Sequence, residues 1–223
     1  MKPLKILPII LFCIGLCILP ELVSAQKSQG FVSFGAGIGM SNLDAFPVKL
    51  GQKDNNMSNI ISSSNFGVCV IKNKNQFGVH FQLNSSFRDK STNNNFGKFT
   101  SEAVDWSYGR VFFSESKFTV CPTLKIGFQT NTFVISNDTN HLSNSLNTGN
   151  TQELTTVSTQ ARASLGIQFR YQFSKNRILA FYAEGTSGLY PSAIRTYSNA
   201  KIPNQTFNPA FFQLGLSYMM LMR

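Results

Sequence analysis

The 223-residue chain has little charge: Asp, Glu, Lys and Arg make up 13% of it, about half the quarter usual in soluble proteins. Acidic residues are the scarcer kind, 10 against 20 basic, giving a net charge of +10. The basic residues are scattered rather than clustered, so the charge does not mark a nucleic-acid surface. There is one Trp, against 21 Phe. The apolar share of 42% is ordinary and excludes compositional disorder. A mean hydropathy of −0.05 argues against a helical membrane protein. The chain is thus too poor in charge for a typical soluble protein and too polar for a bundle of spanning helices.

The first segment reads as a targeting signal. Lys2 and Lys5 precede an apolar run from Leu7 to Leu19, Pro20 ends it, and Val23-Ser24-Ala25 supplies small residues before Gln26. The run is too short to span a bilayer as a helix, and the three-part pattern is that of a secretory signal peptide. Phe12 and Leu16 precede Cys13 and Cys17, which does not suit a lipoprotein cleavage box. Cleavage is therefore expected after Ala25, leaving residues 26–223 as a single domain. It removes two lysines and one glutamate, so the mature chain keeps +9.

From Gln26 onward no stretch keeps a helical period. Apolar residues instead recur at every second position, the mark of strands with two unlike faces. In Thr156 to Phe173 one face carries Val157, Ala161, Ala163, Leu165, Ile167, Phe169 and Tyr171, and the other Ser158, Gln160, Arg162, Ser164, Gly166, Gln168 and Arg170. Seven more segments behave alike: Gly30–Met40, Asn65–Lys72, Gln76–Phe87, Thr100–Phe113, Phe118–Val134, Ile178–Leu189 and Pro209–Met222. Pro122 lacks an amide donor and belongs at a bulge or a weak point of its ladder.

The connections alternate too. Asn73–Asn75, Ser114–Lys117 and Ser174–Arg177 are tight turns. Ser41–Ser64, Arg88–Phe99, Ser136–Leu154 and Tyr190–Asn208 are long, rich in Asn, Ser and Thr, and poor in large apolar residues, so they define no pocket. In an up-and-down meander this puts every tight turn at one end and every long loop at the other. The expected fold is all-β: an eight-stranded antiparallel transmembrane barrel with short periplasmic turns and four long extracellular loops. A soluble ligand-binding barrel would share the period but invert the faces. It would need a charged exterior, which neither face supplies, and its narrow interior would be overfilled by the Phe-rich set. Phe112, Phe118, Tyr171, Phe173 and Tyr218 gather near the tight turns, as an interfacial aromatic girdle does.

The last strand, Gln213-Leu214-Gly215-Leu216-Ser217-Tyr218-Met219-Met220, resembles the assembly signal of outer-membrane barrels, with Gln213, Gly215, Tyr218 and Met220 at the patterned positions. It departs from that pattern by ending Leu221-Met222-Arg223. The opening Phe34-Gly35-Ala36-Gly37-Ile38-Gly39-Met40-Ser41-Asn42-Leu43 is similar to the Gly-rich first strand of small outer-membrane barrels of Bacteroidota-type bacteria, which include PorT-like proteins of a secretion apparatus. The resemblance implies an OmpA/OmpX-like architecture, a place in the cell outer membrane of a Gram-negative envelope, contact with its lipid, and recognition by the barrel-insertion machinery. It leaves several roles open. One is a non-enzymatic barrel whose surface loops serve adhesion, surface interaction or envelope structure. The others are a component of a secretion or envelope assembly and a lipid A-modifying enzyme.

The catalytic alternative rests on His141-Leu142-Ser143-Asn144, which looks like the catalytic stretch of outer-membrane lipid A deacylases, where His activates Ser. Here it falls in an Asn/Ser-rich loop, with two hairpins of chain after it. His80 faces the polar side among Gln76, Gln82 and Asn84 and reads as a hydrogen-bonded interior residue. No second His, Cys or carboxylate has metal spacing to it, and no cofactor is implied. Lys125, Arg162, Arg170, Asp105 and Glu184 all carry the inward parity. Buried charges must pair or meet water. Counting from the turns suggests the pairs Asp105–Lys125 and Arg170–Glu184, a polar plug rather than a conducting pore. Cys69 and Cys121 also point inward, three strand spacings apart, at ~4.8 Å each, too far for a disulfide.

Overall fold

A computed structural model describes residues 28–43, 57–88, 96–115, 117–136, 153–196 and 206–222. The signal peptide expected over residues 1–25 and the His141–Ser143 stretch lie outside the described residues. Among the described residues there are twelve strands: β1 (Gln29–Ser41), β2 (Met57–Lys72), β3 (Asn75–Arg88), β4 (Phe96–Arg110), β5 (Phe113–Glu115), β6 (Phe118–Ser136), β7 (Glu153–Ser174), β8 (Arg177–Gly188), β9 (Ser192–Ala193), β10 (Arg195–Thr196), β11 (Thr206–Phe207) and β12 (Ala210–Leu221). Eight are long enough to form a wall. They pair antiparallel in the order β1-β2-β3-β4-β6-β7-β8-β12, and β12 returns to pair with β1 from Phe31–Leu221 to Ser41–Phe211. The result is a closed eight-stranded antiparallel barrel with no free edge in the wall.

The period-two pattern decides which side of each strand faces in. Phe34, Ile38, Phe66, Leu124, Phe128, Leu165, Phe181 and Leu216 stand exposed on the outside. Ser33, Gln76, His80, Asp105, Arg162 and Glu184 are buried inside. Through the middle of the wall, polar and charged side chains fill the interior and apolar ones clothe the exterior, the inverse of a soluble protein and the arrangement a barrel in lipid requires.

The turns follow their residues. Asn73 and Lys74 both take left-handed backbone angles, φ 49° and 69°. Two central residues with positive φ make the primed turn whose twist matches a tight hairpin. Pro122 faces out where two ladders meet: β4 pairs with β6 as far as Gly109–Thr123, and β5 resumes the pairing at Phe113–Val120. Its missing donor thus falls in the interruption at Val111–Phe112. The aromatics of the tight-turn end make rings around the outside, with Phe118 and Tyr171 centroids 4.8 Å apart, Phe77 and Tyr108 5.4 Å apart, and Phe173 and Tyr218 6.2 Å apart.

Three expectations are corrected. First, β2, β4, β6 and β7 run further toward the loop end than the alternation suggested; β2 begins at Met57 rather than Asn65. Above the apolar wall the outer positions become Ser62, Ser64, Thr100, Thr130 and Thr132, so the strands continue while the contrast between their faces vanishes. Second, the interior is not polar throughout. Phe31, Cys69, Ile178 and Met219 form an apolar cluster at the turn end. Leu43, Ile61, Phe99, Phe133, Phe207 and Phe211 form another at the loop end, with Phe99 and Phe133 centroids 5.0 Å apart. Third, the long connections do supply large apolar residues to the interior. Leu43 and Phe207 belong to that second cluster and Ile194 packs on it. The last long connection is also partly stranded: β10 pairs with β7 at Val157 and Thr156, and β9 pairs with β11.

Leu165 is 69% exposed near the middle of the apolar wall. Replacing it with Arg is expected to destabilise the barrel in lipid by about 2–4 kcal/mol, measured by urea unfolding in vesicles. On a water-facing wall the same change would be near neutral.

Candidate functional site: the lumen network

The strands bring all five charged candidates into the lumen. Asp105 and Arg162 are fully buried, Arg170 and Glu184 nearly so, and the Lys125 side chain is 11% exposed. The pairing differs from that expected. Arg162 pairs with Asp105, its Nε donating to Oδ1 at 2.8 Å and its Nη2 reaching Oδ2. Lys125 pairs with Glu184. Arg170 meets no carboxylate among its described contacts; it donates to the side-chain oxygens of Gln168, at 2.6 and 3.0 Å, and of Gln76.

Counting from the turns failed because these long side chains reach sideways across the wall. Asp105 and Arg162 are both register partners of Gly127, one on each side. Gly127 has no side chain, so the guanidinium crosses over it. A Cβ there would stand 2.5 Å from Asp105 Oδ1. Lys125 likewise reaches past β7 to Glu184, whose register partner is Gly166. Arg170 lies opposite Ala180, four residues from Glu184.

Amides tie the charges together. Arg162 Nη2 also donates to Gln82 Oε1 at 2.7 Å. Gln82 Nε2 donates to Gln213 Oε1 at 2.7 Å and to Asn84 Oδ1 at 3.2 Å, and Gln213 Nε2 donates to the same Asn84 oxygen at 3.2 Å. Beside Glu184, Thr186 donates to its Oε1 at 3.4 Å and shares a 2.8 Å hydrogen bond with Ser164. His80 Nε2 lies 2.9 Å from Ser107 Oγ. Tyr182 turns inward, where Asn65 Nδ2 donates to its hydroxyl at 3.1 Å. Its ring rests on Gly215, where a Cβ would come 2.5 Å from the ring's Cζ.

Gln82, Asn84 and Tyr182 were not singled out from sequence as network members. The available signal was their inward parity beside Asp105 and Glu184. Of the assembly-signal residues, Gln213 is buried in this network, Gly215 makes room for Tyr182, and Tyr218 and Met220 lie on the outer parity of β12.

The geometry is that of a filled interior. Between His80, Lys125, Tyr182 and Glu184 there is a cavity of about 20 Å³, room for about one water. The apolar clusters lie above and below. The His80–Ser107 contact is a nucleophile beside a base in form, and both side chains are buried. Among the described residues no group of three His, Cys, Asp or Glu is placed to hold a metal ion. Cys69 and Cys121 are buried and free.

No family model matches the sequence, and no curated protein matches it. Solved structures do match in shape. The Neisserial surface protein A is 13% identical over 88% of this chain and 100% of its own, with a TM-score of 0.52. A major outer membrane protein from Thermus thermophilus is 10% identical over 88% of this chain and 100% of its own, also with a TM-score of 0.52. The fold is that of an outer-membrane β-barrel. At this level of identity the likeness is one of fold, and the lumen chemistry is read from this chain's own residues.

Removing one partner of a buried pair strands the other charge. Arg162→Leu is expected to cost about 3–5 kcal/mol, and Asp105→Leu with Arg162→Leu together less than the single change. Denaturant unfolding in detergent micelles or lipid vesicles measures both, and a double variant weaker than the single would contradict the pairing.

Proposed function

We propose that the protein is an integral, non-enzymatic barrel of the outer membrane that does not conduct, and whose surface connections carry its biological role in adhesion, surface interaction or envelope structure. One observation carries this reading: the wall is apolar outside, while the interior holds the buried Arg162–Asp105 pair between two apolar clusters. An eight-stranded barrel has an interior only wide enough for side chains, and here side chains fill it. With the lumen closed and the His80–Ser107 contact enclosed, what remains available to partners is the outer wall and the loop end.

The assembly-signal reading of Gln213, Gly215, Tyr218 and Met220 fits the place of β12 as the strand that closes on β1. The barrel-insertion machinery would act on it during assembly. Membership of a secretion or envelope assembly is the alternative for the mature protein. A tagged copy recovered from membranes as a stoichiometric complex would favour that alternative, and recovery alone would favour independent action of the loops.

Detergent extraction and electrophoresis test the membrane reading. The protein should need detergent for solubility and should change mobility on boiling, as a folded outer-membrane barrel does. Purified monomers in planar bilayers should show no steady conductance; robust unitary currents would overturn the sealed lumen.

A further inference from the structure

The outer wall carries a groove that the lumen chemistry does not use. It has a volume of about 700 Å³, within the ~300–1,000 Å³ of small-molecule sites. Its floor is Val104, a short side chain standing between Phe81 on β3 and Phe128 on β6, its register partners. Two aromatic pairs form the walls: Phe66 with Phe81, centroids 6.4 Å apart and stacked, and Trp106 with Phe128, 6.4 Å apart and edge-on.

The upper end is chemically different. Glu102 lines it with Thr130 and Thr159, and Leu83 separates it from Ser64. The Thr130 and Thr159 hydroxyls lie 3.3 Å apart. Glu102 follows the outward parity of Val104, Trp106 and Tyr108 and is exposed. The other acidic side chains described in the wall, Asp105 and Glu184, are buried in the lumen and paired. The described ion pairs do not include Glu102. Lys98, Arg110 and Arg177, exposed on the same outer surface, are basic, so Glu102 is the local exception in sign. A carboxylate on a lipid-facing wall is a cost unless something answers it. At the margin where the outer face turns from Phe and Val to Ser and Thr, it stands where a headgroup would lie, directly above an aromatic trough deep enough for an alkyl chain.

We propose that this groove is a binding site for a single-chain amphiphile with a primary ammonium headgroup. The chain lies over Val104 between the aromatic pairs, and the ammonium is held by the Glu102 carboxylate with the hydroxyl of its register partner Thr130 beside it. The assignment rests on the membrane placement proposed above.

Trp106 lines the groove and is the chain's one Trp, so its fluorescence reports occupancy directly. The probes are a dibrominated octadecylammonium and the dibrominated octadecyl sulfate of the same chain, added to the protein in zwitterionic micelles, since bromine quenches a tryptophan it touches. The ammonium probe should half-saturate quenching at a concentration about fivefold lower than the sulfate, the scale of one interfacial ion pair. Glu102→Gln should erase that preference, and Val104→Phe should abolish saturable quenching by both probes. Equal quenching by the two probes, or a preference that survives Glu102→Gln, would overturn the proposal and leave an ordinary apolar wall. Saturable quenching that survives Val104→Phe would also overturn it. Each variant is checked for a mobility shift on boiling; a wild-type protein that shows none, and needs no micelles, would instead fail the membrane reading.

Discussion

Every backbone N–H and C=O in a wall bathed by hydrocarbon must find its partner within the protein, and the rest of this structure follows from that demand. An open sheet would leave two edges unpaired at several kcal/mol per group. Closure of β12 on β1 removes them. Once the sheet is closed, each residue has only two directions to point, so the sequence is forced into the alternation that runs through every spanning strand. The same demand explains where irregularity is tolerated. Pro122 is accommodated because the β4 and β5 ladders already part at that height, and the primed Asn73–Lys74 turn joins one hairpin with only two residues outside the strands.

The closed wall then imposes a second condition, that a narrow interior be filled. Long basic side chains fit only where their neighbours are absent or small. Gly127 lets Arg162 reach Asp105, and Gly215 makes a bed for Tyr182. Amide side chains, Gln82, Asn84, Gln213 and Asn65, take up further donors and acceptors. The ion pairs alone are a weak source of stability, since desolvation offsets much of their attraction. Their firmer contribution is to fix which side chains share the interior: two carboxylates face three cations, and Arg170, the one left over, is held by the side-chain oxygens of Gln76 and Gln168.

The fold was readable because lipid exaggerates the contrast between faces. Strands are plain wherever Phe, Leu or Val alternates with Gln, Ser or Gly, as in Thr156–Phe173. They faded at Met57–Ser64, because beyond the apolar wall Ile60 faces out and Ile61 faces in among serines, so neither face is consistently apolar. The apolar clusters were written as departures from parity: Phe31, Phe99, Phe133 and Phe211 all stand on the inward side near strand ends. Those four residues mark where the polar interior stops. The membership of the charged set followed from parity, but the pairing did not, because it depends on tilt, on side-chain reach and on where a glycine opens a path. Glu102 carries the outward parity that alternation assigns it, yet its meaning needs the trough beneath it, which only the three-dimensional wall provides.

The sealed lumen proposed above would also isolate its central ion pair electrically. Mobile ions screen charges they can approach, over a Debye length of about 8 Å at physiological salt. The exposed Lys74, Lys175 and Arg177 at the turn end are open to that atmosphere. Arg162 and Asp105, at zero exposure between the two apolar clusters, are not. Dilution or concentration of the surrounding electrolyte therefore retunes the rim of this barrel while its centre keeps the same field, a fixed dipole held in a dielectric sleeve.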